Sequence, residues 1–228
     1  MAAFLVVGGL LAVLIFLVSQ QLGARAQLVG QVRASATSTI AAFPEHAGGK
    51  IVGHVHAFEE SEEPLLTAPI TGRPCVYYVV RVVEAKSNLA TESVDHVTIL
   101  HEEEGVPFVV TDGTGYAIVD PRGARVALVT DARTKSGTFD DATAAEEQLL
   151  QRHGEASVGW WFNRALTYHE AVIAPGERIA VLGAGVREPD PHAAPDGGYR
   201  GTMPTRLRMS SSPRYPLVIS DEPSATQR

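Results

Sequence analysis

Two histidines, His54 and His56, lie two positions apart in a stretch of β-branched and small residues. Side chains alternate between the two faces of a strand, so both imidazoles are expected on one face, where they could bind a metal ion. Polar residues on the solvent face of any half-exposed strand show the same spacing. Because the sequence indicates no third ligand, we expect neither a metal site nor another cofactor. His54 and His56 are the candidate ligands if a metal does bind.

Cys75 is the single cysteine, and the apolar run Val76–Val80 follows it. A free cysteine in such a run usually packs as a small apolar side chain. A nucleophilic role would require a neighbouring base that lowers the thiol pKa, and the sequence indicates none. One cysteine also excludes an internal disulfide and a zinc site built from several cysteines in this sequence. We therefore expect no catalytic residue.

The segment Tyr168–His169–Glu170 has the composition of a strand, which places Tyr168 and Glu170 on one face and His169 on the other. If Glu170 faces inward, its carboxylate must be paired, because burial of an unpaired charge is costly. Arg73 and Arg81 are the predicted partners, since a guanidinium can bind a carboxylate through two parallel hydrogen bonds.

Glycines lie at the ends of the expected strands, where their natural role is to form turns. Asp112–Gly113 between two apolar runs predicts a tight β-hairpin. Gly183–Ala184–Gly185 lacks the third glycine and the following helix of a dinucleotide-binding motif. The residues expected to have structural roles are Arg73, Cys75, Asp112, Gly113, Gly115, Glu170, Gly176 and Gly183, and Gly72 is a further turn candidate.

Aromatic and basic clusters are candidate contact surfaces. Trp160–Phe162 would place one aromatic face in the core and the other toward a protein partner or a membrane interface. Four arginines could face anionic lipid headgroups or simply form a solvated strand face: Arg200, Arg206, Arg208 and Arg214. The net charge of −7 argues against general binding of nucleic acid.

The N-terminal segment Met1–Val18 has no charged side chain, and a helix of this length reaches about 27 Å, close to the thickness of a bilayer core. We expect residues 1–19 to form a single membrane-spanning helix. A cleaved signal peptide is the alternative, with a possible site at Ala24–Ala26. Arg25 and Arg33 follow the span and no basic residue precedes it, which predicts a cytoplasmic location for the remainder.

After the anchor, residues 20–47 are expected to form a juxtamembrane helix or stalk that ends at Pro44, residues 48–220 a β domain, and residues 221–228 a polar tail. The fold class is mostly β, a small antiparallel barrel or sandwich with an OB-like rhythm, and one short helix over Asp141–His153 with an Asp cap. Mobile loops are expected over Arg187–Gly201 and from Ser210. The predicted strands are Ile51–Ala57, Cys75–Glu84, Ser93–His101, Phe108–Thr111, Tyr116–Val119, Val126–Val129, Trp160–Val172 and Arg178–Leu182.

Three segments, Ala68–Glu84, Pro107–Asp120 and Tyr168–Gly185, resemble the GIDE domain, also called BAM for "beside a membrane". That domain is the membrane-anchored part of mitochondrial RING-type E3 ubiquitin ligases, and it also occurs without a RING in prokaryotic proteins. The resemblance implies a domain held next to a membrane. RING chemistry requires zinc sites built from several Cys and His residues, so one cysteine does not support ligase activity here.

We therefore expect a membrane-anchored scaffold or interaction module with no catalytic activity of its own. Its expected partners are the lipid bilayer, through residues 1–19, and a protein. The alternatives are a component of an E3 ubiquitin ligase-like system, a hydrolase that uses His54, His56 and Glu170, and a module that senses lipid or membrane stress.

Overall fold

A computed structural model describes residues 23–45, 47–88, 93–137, 140–158, 163–193 and 204–227. Within these ranges, no helix is both long and apolar enough to cross a membrane. The expected membrane-spanning segment, residues 1–19, lies outside the described residues, as do Trp160–Phe162 and Arg200.

The described part of the chain is mostly β, with two short helices. Helix α1 occupies residues 23–34, and helix α2 is Ala144–Arg152. The strands are β1 (Gly48–Ala57), β2 (Leu66–Thr67), β3 (Pro74–Cys75), β4 (Tyr77–Asn88), β5 (Ser93–Gly105), β6 (Phe108–Thr111), β7 (Tyr116–Asp120), β8 (Arg125–Ala127), β9 (Ala132–Ser136), β10 (Leu166–Ile173), β11 (Arg178–Pro189), β12 (Thr205–Ser210) and β13 (Val218–Ser220).

Five strands close into a barrel in the order β1, β6, β7, β12 and β11, and β1 pairs with β11 to complete the ring. Strands β13 and β8 extend this sheet from β11. Alternate residues of the ring fill its interior, for example Phe108 with Val110, and Leu207 with Met209. The prediction of a mostly β fold is confirmed, and of the two predicted alternatives, barrel or sandwich, the structure has the barrel. One pairing of the ring, β12 with β7, is parallel rather than antiparallel, and so is the pairing of β13 with β8 beyond the ring.

A four-stranded antiparallel sheet in the order β5, β4, β10 and β9 lies beside the barrel. Helix α2 packs on it through Leu149 and Leu150, which contact a buried cluster that includes Tyr168. The predicted helix is confirmed, but its cap is Thr143 rather than an Asp. Thr143 and Glu146 form a capping box, in which each side chain satisfies the backbone N–H of the other residue.

Several predicted boundaries were wrong where a strand depends on a distant partner. The strand expected over Trp160–Val172 begins at Leu166 in the described part. Strand β11 continues to Pro189, into the expected loop, because β12 pairs with it. Strands β2, β9, β12 and β13 were not predicted, since they are polar or short and are held by pairing rather than by composition.

Helix α1 ends at residue 34, well before Pro44, where the juxtamembrane helix or stalk was expected to end. The chain leaves the helix because the following segment joins β1: Thr37 forms a bridge with Lys50, and the Ser38 amide donates to the Lys50 carbonyl at 2.8 Å. The C-terminal segment is not a solvated tail. Ala225 is buried in the cluster that packs against α1.

Two glycines provide a matched test of this packing. A Cβ on Gly53 would lie 2.2 Å from the Thr111 carbonyl oxygen, whereas nothing lies within 4 Å of a Cβ on Gly30, in α1. Gly53→Ala should lower the free energy of unfolding by more than about 2 kcal/mol, because two paired strands must separate. Gly30→Ala should raise it by about 0.5–1 kcal/mol through helix propensity. Urea unfolding of both variants measures the two effects, and equal changes would contradict the β1–β6 register.

Candidate functional site

Glu170 is fully buried in β10, and its carboxylate is satisfied by one loop. It accepts hydrogen bonds from the Ile70 amide at 2.7 Å, the Thr71 amide at 3.1 Å and the Thr71 hydroxyl at 2.5 Å. Glu170 shares a buried face of β10 with Tyr168, as predicted, but the predicted pairing with Arg73 or Arg81 is wrong. Backbone amides can satisfy a carboxylate without a second charge, and Arg81 lies opposite His169, on the other face.

The loop held by Glu170 connects β2 to β3 and covers Cys75. The Ala68 amide donates to the Arg73 carbonyl at 2.9 Å, and Gly72 adopts a φ of 68°, which favours glycine. The Cys75 thiol packs among Ala68, Tyr78 and Val172. Burial, together with the nearby Glu170, raises the pKa of this thiol to about 11, so it is almost entirely protonated at neutral pH.

Arg73 instead joins two acidic residues at the surface, Asp131 at 3.5 Å and Glu177 at 3.0 Å. Asp131 also accepts from the Val172 amide at 2.8 Å, while its own amide donates to the Glu170 carbonyl. This cluster therefore ties the loop, β10 and the turn before β11 together. Sequence patterns did not identify Asp131 or Glu177 as partners of Arg73, because they approach from separate loops.

Asp221 lies close to this cluster, in the segment expected to be a polar tail. Its carboxylate accepts from the Val129 amide at 2.8 Å. Burial, reinforced by Asp131 and Glu177, raises the pKa of Asp221 to about 6. A carboxyl that titrates near neutrality is chemically notable, but no sequence signal marks it, since Asp-Glu after a strand is typical of a turn.

Asp112 organises the β6–β7 hairpin, as predicted. It accepts from the Thr114 amide at 2.8 Å and hydroxyl at 2.7 Å, and from the Ile40 amide at 3.0 Å, which joins the hairpin to the segment after α1. Partial burial raises the pKa of Asp112, but these hydrogen bonds outweigh burial and lower it overall. Gly113 has a φ of 85°.

The other glycines with predicted structural roles differ in what they do. Gly176 has a φ of 91° and forms the expected turn. Gly115 does not adopt a positive φ. Gly183 lies inside β11, where a Cβ would be 2.7 Å from Leu217, so its role is close packing rather than a turn.

His54 and His56 share the exposed face of β1, as predicted, but they bind separate groups. His54 Nδ1 lies 3.2 Å from the Gly176 carbonyl oxygen, and His56 Nε2 lies 2.9 Å from Thr111 Oγ1. In the described ranges, no group of three or more His, Cys, Asp or Glu side chains is arranged to hold a metal ion.

The basic stretch is largely neutralised within the domain. Arg206 is buried and binds Glu60 and Glu188, each at 2.7 Å, and Arg208 binds Glu188 at 2.8 Å. The Arg214 guanidinium lies 5.4 Å from the Tyr215 ring centroid. Arg206 and Arg208 therefore do not form the open basic face that the sequence suggested.

The role of the Glu170 carboxylate in holding the loop between β2 and β3 can be tested with a matched pair of variants. Glu170→Gln should lower the free energy of unfolding by about 2–3 kcal/mol, because an amide nitrogen would face backbone donors in a buried site. Glu177→Gln, which weakens one partly exposed ion pair, should cost less than about 1 kcal/mol. Equal losses in urea unfolding would show that the loop does not depend on the Glu170 carboxylate.

The raised pKa of Asp221 predicts a pH-dependent stability. Between about pH 4 and pH 6, the folded state keeps a proton on Asp221 that the unfolded state has released. The stability that this carboxyl contributes is therefore fully present at low pH and is lost as the pH rises through about 6. The loss is at most about 3 kcal/mol. The free energy of unfolding of Asp221→Asn should therefore increase, relative to that of the wild type, as the pH rises from 4 to above 6. Urea unfolding across this range tests it, and a constant difference between the two proteins would contradict it.

Comparison with known proteins gives one match. The GIDE family model, described as E3 Ubiquitin ligase, matches residues 79–193, from within β4 to just beyond β11. No curated protein and no solved structure matches the chain. The matched region contains β10 with Glu170, α2 and the β6–β7 hairpin, and it covers just over half of the chain. The chain belongs to the GIDE family.

Proposed function

We propose that this chain is a non-catalytic interaction module, tethered to a membrane by residues 1–19, whose β domain lies on the cytoplasmic side. The observation that carries the proposal is the docking of α1, the helix that follows the apolar N-terminal segment, onto the barrel. An anchor that is followed in sequence by a helix packed on the barrel holds the domain in one orientation relative to the membrane. A fixed orientation suits recruitment of a partner at the membrane surface.

The contacts of α1 support a rigid connection. Leu28 and Val32 are buried against the outer face of the barrel, in a cluster with Val52, Val218 and Ala225. On the same helix, Arg25 binds Glu222 at 3.0 Å. Two buried apolar side chains contribute a few kcal/mol by area, enough to keep a short helix docked for most of the time.

The state of the reactive groups favours a binding role over an enzymatic one. Glu170 is engaged by three donors inside the domain, and the Cys75 thiol is buried with a raised pKa. A hydrolase that uses His54, His56 and Glu170 is disfavoured, because the histidines are exposed on β1 whereas the Glu170 carboxylate is sealed beneath a loop. Glu170 and Cys75 thus serve the fold, which favours a role in binding partners over one in catalysis.

Membrane attachment through residues 1–19 and the orientation of the domain that α1 sets can be tested separately in cells. The full chain should stay in the membrane pellet after alkaline carbonate extraction, and a chain without residues 1–19 should not. Val32→Asp, which puts a charge under α1, should remain in the pellet but lose protein crosslinks. The matched control Gln31→Asp puts the same charge on an exposed position of α1 and should keep them.

Quantitative mass spectrometry after proximity crosslinking measures the second effect. Extraction of the full chain by carbonate would contradict the tether. Identical crosslinks from the Val32 and Gln31 variants would contradict a role for the fixed orientation.

A component of an E3 ubiquitin ligase-like system is the second candidate, favoured by the description of the family. If the chain acts in ubiquitin transfer, it should accelerate discharge of ubiquitin from a charged conjugating enzyme, alone or with a crosslinked partner. No acceleration in either case would leave the interaction module as the function. Lipid sensing through the arginines is less favoured, because Arg206 and Arg208 are already paired with acids.

A further inference from the structure

Lys50 is the buried charge that the fold itself does not explain. It lies on the outer face of β1, two residues before Val52, and only 3% of its surface is exposed. Lysine is almost never buried to this extent unless it is paired, because its ammonium loses hydration. Accordingly, burial lowers the pKa of Lys50.

In the described part of the chain, the Lys50 ammonium has no ion pair and no hydrogen bond with another residue. Asp112 lines the same cleft, and its carboxylate accepts hydrogen bonds from the Ile40 amide and from Thr114. No described side-chain nitrogen or oxygen is sealed without a partner, so the ammonium must reach the adjoining space. It therefore carries a positive charge toward a cleft and forms no ion pair there with a described residue.

That space is a cleft of about 620 Å³ between β1, residues 33–39 at the end of α1 and just after it, the β6–β7 hairpin at Asp112, and the C-terminal segment. Three hydroxyl groups line it and have no hydrogen-bond partner among the described residues, those of Thr37, Ser38 and Ser224. Arg33 also lines the cleft, at an exposed position, and forms no ion pair in the described part.

The walls of the cleft are held in place before any ligand binds. The Ser38 amide donates to the Lys50 carbonyl at 2.8 Å, and Ser35 Oγ donates to the Gln31 carbonyl at 2.8 Å. The second bond satisfies a carbonyl at the C-terminal end of α1, and Arg33 in the last turn offsets the partial negative charge there. The C-terminal end of α1 therefore repels a bound anion less than an uncapped helix end would.

We propose that this cleft binds a phosphate-bearing small molecule, with the Lys50 ammonium and the hydroxyls of Thr37, Ser38 and Ser224 donating to the phosphate oxygens and Arg33 at the rim. An ammonium with several hydroxyl donors suits a dianionic group with three or four acceptor oxygens better than a carboxylate with two. The cleft is larger than inorganic phosphate, so it has room for the organic group of a phosphate ester. A soluble phosphate ester and a phospholipid headgroup share this chemistry. The site does not depend on the proposed tether.

Calorimetric titration of the full chain in neutral detergent with glycerol 3-phosphate tests the site. Lys50→Met, which keeps the length of the side chain without its charge, should weaken binding by at least about tenfold, the loss expected for one charged hydrogen-bond partner. The control Lys135→Met removes an exposed lysine of β9 and should bind as the wild type does. Unchanged affinity in the Lys50 variant would overturn the proposal.

Protection of Lys50 from acylation in the wild-type chain, followed by mass spectrometry, tests the same site without a variant that must fold. Glycerol 3-phosphate or micelles containing phosphatidic acid should slow acylation of Lys50 several-fold and leave Lys135 unaffected. Protection by glycerol 3-phosphate identifies a soluble ester, and protection by phosphatidic acid alone identifies a headgroup. If neither ligand protects Lys50, the site does not exist.

Discussion

Strand β1 pairs with β6 along one edge and with β11 along the other, and this double pairing closes the barrel. Closure gives β1 two different environments. Ile51 and Val55 point into the barrel core, whereas Lys50 and Val52 point outward to the layer formed by α1 and the C-terminal segment. The docking of α1 and the cleft at Lys50 both depend on this one strand being held on both sides.

The four-stranded sheet does not close into a ring, and the loop that packs on it is held by the buried carboxylate of Glu170. Glu170 contributes nothing to the apolar core around it, and its carboxylate would be costly without donors. Its three hydrogen bonds fix the loop between β2 and β3, and that loop in turn covers Cys75. A carboxylate thus holds a surface loop through two backbone amides and one hydroxyl, and it has no partner of opposite charge among the described residues.

Local signals in the sequence predicted the elements that depend on local interactions. Asp112–Gly113 identified the β6–β7 hairpin, because the turn geometry is set by the residues within it. Alternation placed Glu170 on the same face as Tyr168, but the donors to its carboxylate belong to a loop a hundred positions away, which no periodicity reveals. Lys50 was missed for a similar reason. A lysine beside two glycines suggests an exposed position, and only the segments that fold over β1 bury it.

The order of the strands in the ring also has a consequence for how the chain acquires its structure. Strand β4 can pair with β5 soon after both are synthesised, since they are neighbours in the sequence. The ring must wait for β11 and β12, which lie later in the sequence than β6, and until then β6 is the one described neighbour in the ring with which β1 can pair. Contacts between distant segments carry a large loop-closure entropy and form slowly. Closure of the ring, rather than formation of a hairpin, is therefore expected to be the slow step, and the edge of β1 stays exposed to other chains until it is complete.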